Sequence, residues 1–292
     1  TSVLTQEHWT SPWQSLVAMQ PSGSAAPVFL VSAAGGGILW FAQLARLLGQ
    51  AHPVYGLQAR GYDGKVEPYD SVPEMAGHYV AEIRSRFPHG PYIVIGVCTG
   101  GLVAYEMAQQ LTEKNQAVTL VILNSWHPTS YTSYKYSYDR PTALTFPSEI
   151  LSIALSALSE LRRMPIKDWL PVLQYNSNLL WSRFRRPHEK DPELRQFNHM
   201  RLAMFRAAAR YTIRPYPGRI LNFVASQRIM EHDTRHVWSE LAGGGCQTIN
   251  VPVRRTTDLV ASPTVEDISS HIRRYISEHA EEPGGRPNDI AA

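Results

Sequence analysis

From Val28 onward the apolar residues of this chain fall into short runs separated by longer, amphipathic stretches. Val28–Ser32, Val54–Leu57, Tyr92–Cys98, Val118–Asn124, Ile220–Ala225 and Thr248–Val253 are short, apolar and do not alternate in polarity. Runs of that kind predict strands buried on both faces, as in a parallel sheet. Between them, Ile38–Leu48, Val72–Phe87 and Leu102–Lys114 repeat apolar residues at three- and four-residue spacing, and so does Val265–His279 near the end. That period predicts helices with one face on the sheet. Strand and helix in alternation predict an α/β fold, a mostly parallel central sheet flanked by helices and joined by right-handed crossovers.

The alternation stops after Asn124 and resumes at Arg219. Helical patterns near residues 148–163, 166–186 and 193–210 fill the gap without a convincing strand. A helical insertion of that size between two strands predicts a lid over an active site, from about residue 127 to 217. Its opening stretch, Tyr131–Tyr138, mixes Tyr with Ser, Thr and Lys without an apolar period and reads as a mobile loop. Residues 1–26 show no sustained period and end in a Pro, Ser, Gly and Ala stretch, so a linker or lead-in is expected there. One domain is expected over 27–282, followed by a disordered polar tail at 283–292.

Composition narrows the class. The 292 residues, 43% hydrophobic and 18% charged, can bury a substantial core. No apolar stretch approaches the ~20 residues needed to cross a bilayer, and no charged-then-apolar leader opens the chain. A soluble, cytoplasmic protein without a membrane partner is therefore expected. The first residue is Thr, which reads as a processed chain or a piece of a longer one. A net charge of +3 is too weak to argue for nucleic acid and enough to favour an acidic protein partner. Two cysteines, Cys98 and Cys246, make neither a disulfide framework nor a Cys-based zinc site, and no other ligands stand at metal spacing, so no metal is expected.

One stretch carries a strong chemical signal. Gly96–Val97–Cys98–Thr99–Gly100–Gly101 follows an apolar run and opens an amphipathic one, the setting of a nucleophile elbow. Gly96 and Gly100 supply the small neighbours that such a tight strand-to-helix turn requires, and Cys98 holds the nucleophile's place. A thiol at a helix N-terminus is expected to ionise more readily. The alternative is a small buried Cys in a glycine-rich turn.

The segment Pro91–Leu111 resembles the elbow and following helix of the α/β-hydrolase thioesterase domains that end nonribosomal peptide and polyketide synthetases, with Cys98 where Ser is usual. Ala33–Gly36 is similar to that family's first glycine-rich loop, Tyr55–Gly61 to its next strand and turn, and Tyr216–Ile220 to its re-entry from the lid. The resemblance covers roughly residues 15–280. It implies an α/β-hydrolase fold with a helical lid insertion. It further implies an acyl or peptidyl chain delivered on the phosphopantetheine arm of a carrier protein domain, and no other cofactor. The oxyanion hole would lie between the N–H groups of Thr99 and Ala34, the alternative for Ala34–Gly37 being an ordinary strand-to-helix turn. A phosphate cradle is the weaker reading, since no Lys-Ser/Thr follows those glycines.

Two positions depart from the family pattern. Its catalytic Asp commonly ends the strand after the elbow helix, where this chain has Asn124. An Asn orients an imidazole through its amide oxygen but does not stabilise an imidazolium; it serves equally as a cap on the strand end. The family's general base is a His after the last strand, and Val251–Leu259 contains none, with Arg255 or Thr256 in its place. Three resolutions stay open: His127, just beyond Asn124; His232 or His236, in a loop that also carries Glu231 and Asp233; or no protein base at all. A thiol, partly ionised near neutrality, can accept an acyl group with little help, after which an amine is a better acceptor than unassisted water. Expected catalytic residues are thus Cys98, Asn124 and His127, with release by an amine acceptor or by cyclisation. The competing readings are a binding module for acyl chains or carrier domains that has lost catalysis, and a free-standing esterase or lipase. Arg183, Arg185, Arg186, Arg201, Arg206 and Arg210 of the lid serve either carrier docking or ordinary solvated helix faces.

Overall fold

The computed structural model describes residues 15–49, 51–128, 130–131, 191–227 and 235–279, together with the single residues 158, 162 and 166. Seven strands form one sheet: β1 (Leu16–Gln20), β2 (Val28–Val31), β3 (Val54–Leu57), β4 (Tyr92–Val97), β5 (Val118–Leu123), β6 (Ile220–Ala225) and β7 (Cys246–Val251). Their order is β1-β3-β2-β4-β5-β6-β7, with β1 antiparallel to β3 and every other pair parallel. The described helices are α1 (Ala42–Leu48), α2 (Val72–Arg86), α3 (Gly100–Glu113), α4 (Pro192–Arg210), α5 (Arg235–Leu241) and α6 (Thr264–His279).

The central strands show no polarity alternation because both of their faces are covered. Phe29, Val31, Val94, Leu120 and Ile122 point to one side, into a core completed by α2 and α3. Val28, Leu30, Ile93, Ile95, Val121 and Leu123 point to the other, against α1 and α6. Consecutive strand residues thus enter opposite cores, and an apolar residue is favoured at every position.

Residues 16–20 correct the reading of 1–26 as a linker. They form the edge strand β1, whose Leu16 lies opposite Leu57. The N–H groups of Ser15 and Leu16 both donate to the Glu82 carboxylate of α2. One side of this strand faces solvent, with Val17 39% exposed, so its apolar pattern is diluted. Within the stretch read as a lid, α4 matches the pattern near 193–210. The two earlier helical patterns fall outside the described residues apart from 158, 162 and 166, and the 283–292 tail lies outside altogether. Among the described residues no helix is long and apolar enough to cross a membrane.

Candidate active site

Parallel strands place their C-terminal ends on one edge of the sheet, and the chemistry-bearing residues gather there. Cys98 follows β4 directly and adopts φ 53, a left-handed conformation that costs a non-glycine residue of order 1–3 kcal/mol. The turn is held on both sides. The Cys98 N–H donates to the Leu123 carbonyl of β5 at 3.0 Å, and the Cys98 carbonyl accepts from Gly101 N at 3.0 Å, starting α3. A Cβ on Gly96 would stand 2.6 Å from Gly101 Cα, and one on Gly100 would stand 2.7 Å from the Val31 carbonyl oxygen. Both glycines are therefore fixed by backbone packing, and Cys98 between them is half-buried, packed against the core on the α1–α6 side of the sheet.

Two main-chain N–H groups come from the turns that follow β4 and β2. Thr99 (0% exposed) and Ala34 (8%) lie just past the paired ends of β4 and β2. The turn after β2 closes through Gly36 N donating to the Ala33 carbonyl at 2.8 Å, and Ala59 N donates to the Gly36 carbonyl at 2.9 Å. Among the described residues neither the Ala34 nor the Thr99 N–H donates to a main-chain carbonyl. Buried donors in that state are what stabilisation of an oxyanion requires.

On the neighbouring strand, Asn124 follows β5 with φ 50. Its Oδ1 accepts from Ala225 N at 3.1 Å, and its Nδ2 donates to Thr256 Oγ1 at 2.7 Å. Thr256 opens a 3₁₀ turn, Thr256–Val260, after β7. Arg255 points elsewhere, its guanidinium 3.0 Å from Asp258 Oδ1. Of the two residues that sequence placed at the family's His position, Thr256 is the one that meets Asn124.

In a sheet whose central strands are parallel, Cys98 stands at the end of β4, Asn124 after β5 and Thr256 after β7. The family model for the thioesterase domain matches residues 26–242. The chain belongs to the thioesterase domain family. It is 36% identical over 109 residues to the aspulvinone E synthetase melA of Aspergillus terreus, covering 37% of this chain and 12% of that protein. It is 35% identical over 129 residues to a dimodular nonribosomal peptide synthase of Bacillus subtilis, covering 44% of this chain and 5% of that one. The chain thus spans only a small part of the length of these curated relatives. Among solved structures, the NocB thioesterase domain from the nocardicin cluster matches with a TM-score of 0.62 at 21% identity, over 90% of this chain and 99% of that one. That likeness supports the α/β-hydrolase fold.

In this thioesterase domain His127 sits three residues past Asn124 and is half-buried. Burial holds its imidazole below the ordinary histidine range, with Glu240 of α5 pulling the other way. His232 lies outside the described residues, as does the side chain of His236. Cys246, by contrast, opens β7 opposite Ile220, where burial pushes its thiol up, toward the protonated form. Sequence reasoning assigned no site role to α4 beyond lid arginines, yet this helix roofs the first loop. Phe197 covers Gly35, and Met200 approaches Gly36. A hollow beside Ala34 is walled by Met75 of α2, Met200 and Met204 of α4, Tyr69 and Arg60. The motif Tyr55–Gly61 contained Arg60, but nothing in its spacing signalled that Met200 and Met204 of α4 would line the same hollow.

Proposed function

We propose that this thioesterase domain takes an acyl or peptidyl chain from the phosphopantetheine thioester of a carrier protein domain and passes it, through acyl-Cys98, to an amine. The Cys98 thiolate attacks the thioester carbonyl, the new carbon–sulfur bond forms as the carbon–sulfur bond to pantetheine breaks, and the pantetheine sulfur leaves as a thiolate that takes its proton from solvent. The amine then attacks acyl-Cys98, an amide bond forms, Cys98 leaves as thiolate, and the amine's surplus proton passes to solvent. An amine within the chain gives a cyclic product and a separate amine a linear one. Thr99 and Ala34 would donate their N–H groups to the oxyanion in both steps.

The observation that carries this reading is the 2.7 Å bond from Asn124 to Thr256. On this reading a neutral amide and a hydroxyl meet where an acid and an imidazole would stand, so this pair offers water no activator, while a thiol nucleophile does not need one. A second reading, an acyl-chain or carrier-binding module without turnover, draws on the same bond. It also draws on a relative, 33% identical over 110 residues, that is named the inactive atromentin synthetase invA4 of Paxillus involutus.

Incubation with an acyl-pantetheine thioester, followed by intact mass, separates the two. The proposal expects an acyl adduct that is absent in Cys98→Ala and retained in Cys246→Ala. No adduct in the wild-type chain favours the binding module, and an adduct on Cys246 defeats the assignment. If acylation itself uses a base, His127→Ala should slow it by about 10²–10⁴.

A further inference from the structure

Arg60 stands three residues beyond the end of β3 and lines the hollow beside Ala34, together with Ala59, Tyr69, Met75, Met200 and Met204. Its guanidinium lies over the Tyr69 ring, 4.8 Å from the centroid. Its Nε is out of reach of solvent and has no hydrogen-bond partner. The acids on the adjoining loop are committed elsewhere. Glu67 Oε2 is 3.3 Å from His199 Nε2, Asp70 Oδ2 is 3.0 Å from Arg210 Nη1, and Asp63 Oδ2 is 3.2 Å from Lys65 Nζ. Among the described residues no carboxylate pairs with Arg60.

A guanidinium pressed against thioether and aromatic walls gives up part of its hydration, and the ring face returns only some of it. Five donors in a rigid fork match the bidentate geometry of a carboxylate or a phosphate. The hollow also includes Ala34, so, with the oxyanion role proposed for that residue, an anion held by Arg60 would lie on the side of the reacting carbonyl. The phosphate of a pantetheine arm does not fit this place, because it sits at the far end of the arm from the thioester.

We propose that Arg60 binds a free carboxylate of the substrate, so that the site selects a ligand bearing an anion near the carbonyl being transferred. The inference rests on the acyl-Cys98 reading for the identity of that carbonyl. The carboxylate has two possible sources, a side group of the acyl chain or the carboxylate of an amino-acid acceptor.

The test has two arms. In the first, acylation of Cys98 is timed by intact mass with glutaryl- and pentanoyl-pantetheine thioesters. In the second, preformed pentanoyl-Cys98 is resolved with glycine and with glycinamide. A charge-assisted carboxylate contact corresponds to about ten- to a hundredfold. The expected result is that one arm shows a carboxylate preference that falls by that factor in Arg60→Gln, while the melting temperature stays unchanged. A preference in the first arm assigns the carboxylate to the acyl chain, and in the second to the acceptor. No preference in either arm, or one that survives Arg60→Gln, overturns the proposal. Should neither thioester mark Cys98, the acyl-Cys98 reading fails by itself. Arg60 is then read by calorimetric binding of glycine and of the matching glutaryl- and pentanoyl-derived thioethers. Tighter binding of a carboxylate ligand that is lost in Arg60→Gln supports the inference, and equal binding of both thioethers with no binding of glycine overturns it.

Discussion

On the acyl-Cys98 reading proposed above, rebuilding an acid–imidazole pair at Asn124 and Thr256 should give this domain fast hydrolysis of its acyl-enzyme. The perturbation is Asn124→Asp together with Thr256→His. Asp tolerates the φ of 50 at position 124 much as Asn does. One carboxylate oxygen keeps the bond from Ala225 N, and the other, in the place of Nδ2, accepts a ring N–H from the new imidazole instead of donating to a hydroxyl. General-base assistance is worth about 10²–10⁴ in rate, equivalent to roughly 3–5 kcal/mol of barrier at 1.36 kcal/mol per decade. The single exchanges should deliver little. Asn124→Asp alone creates an acid with no imidazole to orient. Thr256→His alone leaves an Asn in the acid's place, a defect that costs about 10⁴ in an otherwise intact triad. The signature is therefore strong non-additivity. The assay follows the decay of acyl-Cys98 by intact mass in amine-free buffer for the wild type, both single variants and the double variant, with melting temperatures to confirm folding. A folded, acylated double variant whose adduct lasts as long as that of the wild type would refute the reasoning, as would a wild-type adduct that already decays as fast as the double variant's.

Two further outcomes follow from the geometry. Because burial lowers the folded-state pKa of His127, the unfolded chain takes up that proton first as the pH falls below about 6.5. The associated stability is present above that pH and is lost as the pH falls through the lower folded value. Between about pH 7.5 and 5.5 the wild type should lose more melting temperature than His127→Asn, and parallel losses would contradict the burial argument. Gly100→Ala drives a Cβ toward the Ser32 and Val31 carbonyls and should destabilise by about 1–3 kcal/mol, whereas Gly77→Ala on α2 meets only Gln110 Oε1 at 3.5 Å and should stabilise by about 0.5–1 kcal/mol. Calorimetric melting of the two variants checks the opposite signs.

Most of the sheet was legible because burial on both faces leaves a local trace, an unbroken apolar run. Val54–Leu57 and Ile220–Ala225 were bounded to the residue for that reason, and Thr248–Val253 overlaps β7, which starts two residues earlier. Edge strand β1 left no such trace, since its place depends on pairing with Leu57 and on the Glu82 carboxylate, both distant in sequence. Helix α5 was also missed: its seven residues are too few to establish a period. The elbow was readable because Gly96 and Gly100 answer to close backbone approach, a constraint that only glycine meets. The Asn124–Thr256 bond was not, because residues 132 apart in sequence meet only once the strands after the lid return to the sheet. Arg60 stayed unread for the same reason, its surroundings being completed by Met200 and Met204 from the far side of the insertion.

Strands β5 and β6 are hydrogen-bonded neighbours although residues 124–219 intervene between them. Closing a connection costs entropy that grows only with the logarithm of its length, about 0.6 kcal/mol for each doubling. A lineage carrying this fold can therefore lengthen, shorten or rewrite the whole crossover while the register Leu120↔Ile220 to Leu123↔Phe223 stays as it is. Selection can thus rewrite the crossover while the strand ends that carry Cys98 and Asn124 stay in register, so that variation and retention proceed on separate parts of the same polypeptide.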